Sequence, residues 1–332
     1  MTPIELTHFL SRLVENEVRI SIMIWGSPGI GKSSIVAQIA QHESLQIIDL
    51  RLSQLAPTDL RGLPVAENGV AKWFPPEFLP TSGKGILFLD EINMATPAMQ
   101  GIAQQLILDR QVGSYHVPEG WFIWAAGNRK SDRAAVFEMP SALANRFIHL
   151  DVTADFDSFK TWGITANLSE QILAFLAFRP VLLHKIDAKS PSWPSPRSWA
   201  MADSLLRAGL TVGPAVGDAT SGEFEAFCAV YGKLPDIDDI VAGKSKAKFP
   251  TEPSARYAIV LGMVIRADDP HKGAHGLKWL IKEGSAEWVQ LYVSDLFRLL
   301  RERGQFGEMA KLITADPELR DFAKTMRDLI FS

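Results

Sequence analysis

Eight consecutive residues, Gly26-Ser27-Pro28-Gly29-Ile30-Gly31-Lys32-Ser33, have the types and spacing to hold a phosphate. They read G-x-x-x-x-G-K-S and continue into Ser34. In such a loop glycines let the backbone wrap a polyphosphate, and amide N–H groups at a helix start face the anion. Lys32 then reaches the β- and γ-phosphates and the Ser33 hydroxyl ligates Mg²⁺. Three further residues suit the same chemistry. Asp90 could hold the ion through water, and Glu91 could orient or deprotonate an attacking water. Asn128 could reach a γ-phosphate or that water with its amide. Each has a structural alternative: an ordinary Gly-rich turn, two carboxylates capping a following helix, and a turn former.

These side chains need a sheet to bring them together. Residues 21–25 form a short apolar run suited to a buried parallel strand, and residues 34–41 contain no Gly or Pro and read as a helix opening on the loop. Residues 45–50 give a second strand. Gly85-Ile86-Leu87-Phe88-Leu89 gives a third, with Asp90 and Glu91 emerging at its carboxyl end, where ligands bind in open α/β sheets. Residues 121–126 form a fourth, ending at Gly127-Asn128, and residues 147–152 a fifth. Strands alternate with helices (97–110 and 141–146), which predicts a mostly parallel five-stranded sheet covered on both faces. Residues 56–80 interrupt this core with two short runs around Glu67-Asn68-Gly69, a hairpin signal, and residues 111–117 look like another hairpin. Trp73, Phe74 and Phe78 either contact a partner or pin the first hairpin down.

Beyond Asp155 the pattern turns helical, over 169–178, 198–208, 253–266, 286–303 and 317–330, with 209–222 read as a loose Gly/Ala-rich connection. Trp279 and Trp288 read as core, and Lys244, Lys246 and Lys248 as a solvated loop. A net charge of −4 leaves no overall cationic excess for non-specific nucleic-acid binding. The single cysteine, Cys228, excludes an intramolecular disulfide and reads as packing. No signal peptide is evident, and no apolar run approaches the roughly 18 residues a membrane span needs, so a cytoplasmic protein without a membrane partner is expected.

Taken together the segments resemble the AAA+ ATPases, and more narrowly the MoxR family, over roughly residues 20–210. The phosphate loop comes first. Leu89-Asp90-Glu91-Ile92-Asn93, running into Asp109-Arg110-Gln111-Val112, looks like the extended second nucleotide motif. Ala125-Ala126-Gly127-Asn128 is similar to the sensor 1 strand, and residues 140–147 to the segment ending in the arginine finger. Ser195-Pro196-Arg197-Ser198 resembles sensor 2. The resemblance implies an α/β protein with an AAA+ αβα core over 1–155, a helical lid over 156–222, and a helical C-terminal region over 223–332 without a recognised role. It implies a ring, commonly a hexamer, with ATP and Mg²⁺ bound between subunits. Arg146 would act on the neighbour's nucleotide and Arg197 in cis. Arg129, standing where many members have proline, and Arg133 remain alternatives to Arg146. The hairpin near 56–80 looks like the family's insert in the second helix. The implied partner is a protein client, often one with a von Willebrand factor A domain. Two other classes share this core: a nucleic-acid motor or GTP-dependent restriction subunit, and a scaffold that binds nucleotide only to assemble. The charge balance argues against the first, as does the lack of an N-K-x-D signature at residues 128–132; an intact Lys32, Asp90 and Glu91 argues against the second.

Overall fold

The computed structural model describes residues 1–129, 136–187 and 189–325. By their own contacts the residues form two compact units, Met1–Asp155 and Phe156–Ser332. In the first, α1 (Pro3–Glu15) begins at a capping box in which the Thr2 hydroxyl accepts from the Glu5 N–H and Glu5 accepts from the Thr2 N–H. Next come β1 (Ile22–Trp25), α2 (Lys32–His42), β2 (Gln46–Arg51) and α3 (Pro57–Arg61). A hairpin of β3 (Leu63–Glu67) and β4 (Val70–Phe74) precedes β5 (Gly85–Asp90) and α4 (Pro97–Leu108). The unit ends with β6 (Gln111–Val112), β7 (Tyr115–His116), β8 (Trp121–Gly127), α5 (Ser141–Ala144) and β9 (Ile148–Asp151).

Five strands pair in the order β2-β5-β8-β1-β9, and every pairing is parallel. The sheet is therefore all-parallel where the sequence predicts a mostly parallel one. Its central strands β5 and β8 are buried along nearly their whole length because both faces are covered, whereas the edge strands β2 and β9 carry exposed polar residues. Along β5, Ile86 and Phe88 pack with Ile35, Val36 and Ile39 of α2 and Leu6 and Leu10 of α1. The alternate residues Leu87 and Leu89 pack with Met99, Ala103 and Leu106 of α4.

The β3–β4 hairpin turns on Asn68 and Gly69, both left-handed at φ 54° and 79°, the geometry a two-residue hairpin loop requires. Its aromatic residues differ in their surroundings. The Trp73 ring lies 5.2 Å from the Arg61 guanidinium, and the Ser114 hydroxyl donates to the Trp73 carbonyl at 2.7 Å, so Trp73 pins the hairpin. Phe74 and its cross-strand neighbour Leu63 face solvent, 52% and 66% exposed.

The second unit is helical: α6 (Phe156–Thr165), α7 (Glu170–Phe178), α8 (Pro196–Arg207), α9 (Gly213–Val216), α10 (Asp218–Tyr231), α11 (Ile237–Val241), α12 (Pro253–Arg266), α13 (Pro270–Glu283), α14 (Ala286–Glu302), α15 (Phe306–Ala315) and α16 (Pro317–Thr325). Residues 209–222 are not the loose connection the composition predicts. They carry α9 and the start of α10, and the expected boundary at 222 falls inside α10. The reason is aromatic packing: Phe224 and Phe227 of α10 sit 5.4 and 5.6 Å from Phe175 of α7. The expected helix over 317–330 is described to Thr325, and its remainder lies outside the described residues. Trp279 and Trp288 are buried, and Lys244, Lys246 and Lys248 are exposed.

One ion pair inside this unit is buried. Lys160 of α6 lies 2.7 Å from Asp295 of α14, with both side chains almost inaccessible, and 2.9 Å from the more exposed Asp157. Lys160→Met would strand the Asp295 carboxylate in the interior and is expected to cost about 3–5 kcal/mol of unfolding free energy. Asp295→Asn should cost less, because Asp157 still partners the lysine, and a Lys160→Met/Asp295→Leu double variant should recover most of the loss. Urea melts of the three chains check the order; an unchanged midpoint in Lys160→Met refutes it.

Candidate functional site

From β1 the chain crosses to the sheet edge at β2, returns inward through β5 and β8, and then passes to β9 on the other side of β1. The order thus reverses between β8 and β1, and at such a switch point the loops diverge and open a crevice beyond the carboxyl ends of the strands. The loop after β1 sits there. Gly31 ends it at φ 99°, a conformation that leaves little choice but glycine, and caps the N-terminus of α2. The buried Lys32 ammonium donates to the Gly26 and Ser27 carbonyls at 2.7 and 3.2 Å and to Asn128 Oδ1 at 3.1 Å. Asn128, just past β8, faces the same crevice.

The acidic strand end joins from β5. Ser33 Oγ donates to Asp90 Oδ2 at 2.6 Å, and Asp90 Oδ1 accepts the Glu91 N–H at 2.8 Å. Glu91 takes a left-handed backbone, φ 56°, as the chain turns out of β5, and its carboxylate accepts a hydrogen bond from Ser53 Oγ. A strained non-glycine residue at a strand end is the kind of feature that collects at functional sites. Asn93 ties the two strand ends together: its Nδ2 donates to the Asn128 carbonyl at 2.7 Å, and its Oδ1 accepts the Asn128 N–H at 3.2 Å. Desolvation, and next the Asp90 charge, push the Asp49 carboxyl above its ordinary value, with Glu91 adding to this and Arg51 opposing it. The strand ends thus concentrate negative charge. A hydroxyl and a carboxylate in contact within that field are a hard oxygen donor set, which fits Mg²⁺.

The structure therefore brings Lys32, Ser33, Asp90, Glu91 and Asn128 into one place. Sequence reasoning missed Ser53, Asn93 and Asp49. Asn93 stood inside a quoted motif, but nothing in its type or spacing marks a side chain that bridges two strands. Ser53 lies beyond β2 and carries no signal at all.

The arginines separate. Arg146 follows α5 and is exposed, with no side-chain hydrogen bond or ion pair recorded among the described residues. Arg129 is engaged within its own chain, donating to Asp151 Oδ1 at 3.1 Å and to the Val152 carbonyl at 3.0 Å. Arg133 lies outside the described residues. Arg197 is exposed in the first turn of α8, whose start is fixed by the Ser195–Ser198 capping box. Burial, with some help from Glu225, raises the Cys228 thiol to about 11, so it stays protonated and packs.

Residues 21–147 match the AAA domain (dynein-related subfamily). Over 166 residues, 47% of the chain, the sequence is 28% identical to midasin of Giardia intestinalis, and this chain spans only 3% of midasin's length. Among solved structures the chain is similar to the RuvB Holliday junction branch migration motor of Thermotoga maritima, at 15% identity and a TM-score of 0.42, covering 86% of both chains. It is also similar to NtrX of Brucella abortus in complex with ADP, at 14% identity and a TM-score of 0.42, covering 98% of this chain and 67% of that one. Among the described residues no helix is long and apolar enough to cross a membrane.

Proposed function

We propose, from the AAA domain that residues 21–147 carry, that this chain is a Mg-ATP-dependent ATPase of MoxR type, hydrolysing ATP to ADP and phosphate at the subunit interfaces of a ring. The observation that supports it most is the meeting of two strand ends on one loop: Ser33 Oγ 2.6 Å from Asp90, beside Lys32 bonded to Asn128. Residues Gly26 to Ser34 would wrap the β- and γ-phosphates with backbone N–H groups. Lys32 would exchange its loop carbonyls and Asn128 for phosphate oxygens, so its donors are aimed before nucleotide arrives. Ser33 and Asp90 would hold Mg²⁺, which supplies charge neutralisation across the β- and γ-oxygens. Glu91 would take the proton of the attacking water, and Asn128 would place that water or the γ-phosphate. Arg146 would stabilise the charge spread over the neighbour's γ-phosphoryl, and Arg197 is the candidate cis arginine. On this reading the energy of hydrolysis remodels a protein client, with a von Willebrand factor A domain as the kind of module to test first.

The test is phosphate release in Mg-ATP as a function of chain concentration. The rate per chain should rise as the oligomer forms. A rate per chain that is flat from the monomer upward would reject the interface, and release indistinguishable from background at every concentration would reject hydrolysis and leave the scaffold.

A further inference from the structure

We propose that His149 is the positioning residue that straps α5, the helix that Arg146 follows, to the strand feeding the phosphate loop. Trp25 ends β1, immediately before Gly26, and its Nε1 donates to His149 Nδ1 at 2.8 Å. His149 Nε2 lies 2.8 Å from the carbonyl of Ala144, the last residue of α5. An indole N–H can only donate and a carbonyl can only accept. The ring therefore sits between them as one tautomer, bare at Nδ1 and protonated at Nε2. Its plane is within 9° of the indole plane, and the Phe147 ring stands edge-on 6.2 Å away. The register explains the meeting: Met23 pairs with His149 and Trp25 with Asp151, so Trp25 and His149 are diagonal neighbours on one face of the sheet.

α5 needs such a strap. It is a single turn of four residues, too short to hold its own geometry, and its other anchors are the buried Leu143 and Phe147. Arg146 leaves it two residues after the strapped carbonyl. One protomer's nucleotide cradle and the arginine it offers to its neighbour are thus joined by three hydrogen-bonding groups: indole, imidazole and carbonyl. Movement of the loop on filling would be carried to Arg146 through a ring that cannot keep both bonds unless α5 follows. Nothing about His149 in the sequence marks it for this role. The inference rests on the reading of Arg146 as an arginine that acts on the neighbouring subunit's nucleotide.

The experiment compares His149→Ala, His149→Gln, Trp25→Phe and Arg146→Ala in the full chain, measuring Mg-ATP turnover in the assembled state and ATP affinity of the dilute chain. His149→Ala should lose up to about a hundredfold in turnover, the scale of an ångström misplacement of a catalytic group, with affinity unchanged. His149→Gln, whose amide sets an acceptor beside a donor, should recover most of the loss. Trp25→Phe should reproduce it, and the His149→Ala/Trp25→Phe double variant should add nothing further. Parent-level turnover in His149→Ala beside a collapsed Arg146→Ala would overturn the strap, as would a loss that glutamine does not repair and Trp25→Phe does not reproduce. Full turnover in Arg146→Ala would instead sink the arginine reading. The strap is then judged by amide hydrogen exchange at Arg146 and Phe147 in the nucleotide-free chain: faster exchange in His149→Ala upholds it, and unchanged exchange overturns it.

Discussion

Glu91→Gln is expected to bind ATP as well as the parent chain and to hydrolyse it about 10²–10⁴ times more slowly, the range a positioned general base supplies. The substitution keeps the size of the side chain and an oxygen to accept the Ser53 hydroxyl, so the turn out of β5 should survive. Lys32 bonds the Gly26 carbonyl and Asn128, and Ser33 bonds Asp90, all without using the Glu91 side chain, so the phosphate grip should also survive. What disappears is the basic oxygen. In free-energy terms the loss is about 3–5 kcal/mol of transition-state stabilisation, visible in turnover and absent from the nucleotide dissociation constant. Equilibrium binding of ATP and single-turnover phosphate release separate the two. Turnover equal to the parent would remove Glu91 from the chemistry, whereas weakened binding with unchanged turnover would make it a grip residue.

The parts of this fold legible in the sequence are those with a local cause. Ile86 to Leu89 read as a buried strand because a strand covered on both faces must be apolar at every position. Asn68-Gly69 marked a hairpin because only such residues take two left-handed conformations in a row. Gly31 and Lys32 announced the loop for the same kind of reason. What stayed hidden is tertiary. No local property of Asn93 says that its amide will face Asn128 across a sheet, and none of Ser53 says that it will meet Glu91. Lys160 and Asp295 stand 135 residues apart, and neither looks different from a surface charge until the helices pack. The connection over 209–222 failed for the complementary reason. Its Gly/Ala composition argues for a loop, but Phe224 and Phe227 recruit it into a helix against Phe175, and packing outweighs a propensity worth about 1 kcal/mol per glycine.

Arg146→Ala is expected to leave ATP affinity intact and to lower the turnover of the assembled state by about 10³–10⁵, the effect of removing an arginine that reaches a transferring phosphoryl group. We propose Arg146 rather than Arg129 because of what each side chain contacts in its own chain. Arg129 already spends its guanidinium on Asp151 and the Val152 carbonyl, while Arg146 stands exposed at the end of α5 without a recorded partner among the described residues. A group that acts on another subunit must be available in its own. Mixing supplies the decisive observation. An Arg146→Ala chain still has a competent cradle but offers no arginine; a Lys32→Ala chain offers an arginine but has lost its cradle. Each is inactive alone, yet an interface in which Lys32→Ala lends its Arg146 to the cradle of Arg146→Ala is complete. Turnover should therefore reappear on mixing and pass through a maximum at an intermediate ratio, since interfaces of the complementary kind are most numerous there. Activity that only dilutes, with assembly shown intact by sedimentation, would place Arg146 outside the neighbour's site. Arg129→Ala would not show this behaviour in the same mixture, because losing its bonds to the β9 end loosens its own protomer and no neighbour can replace them.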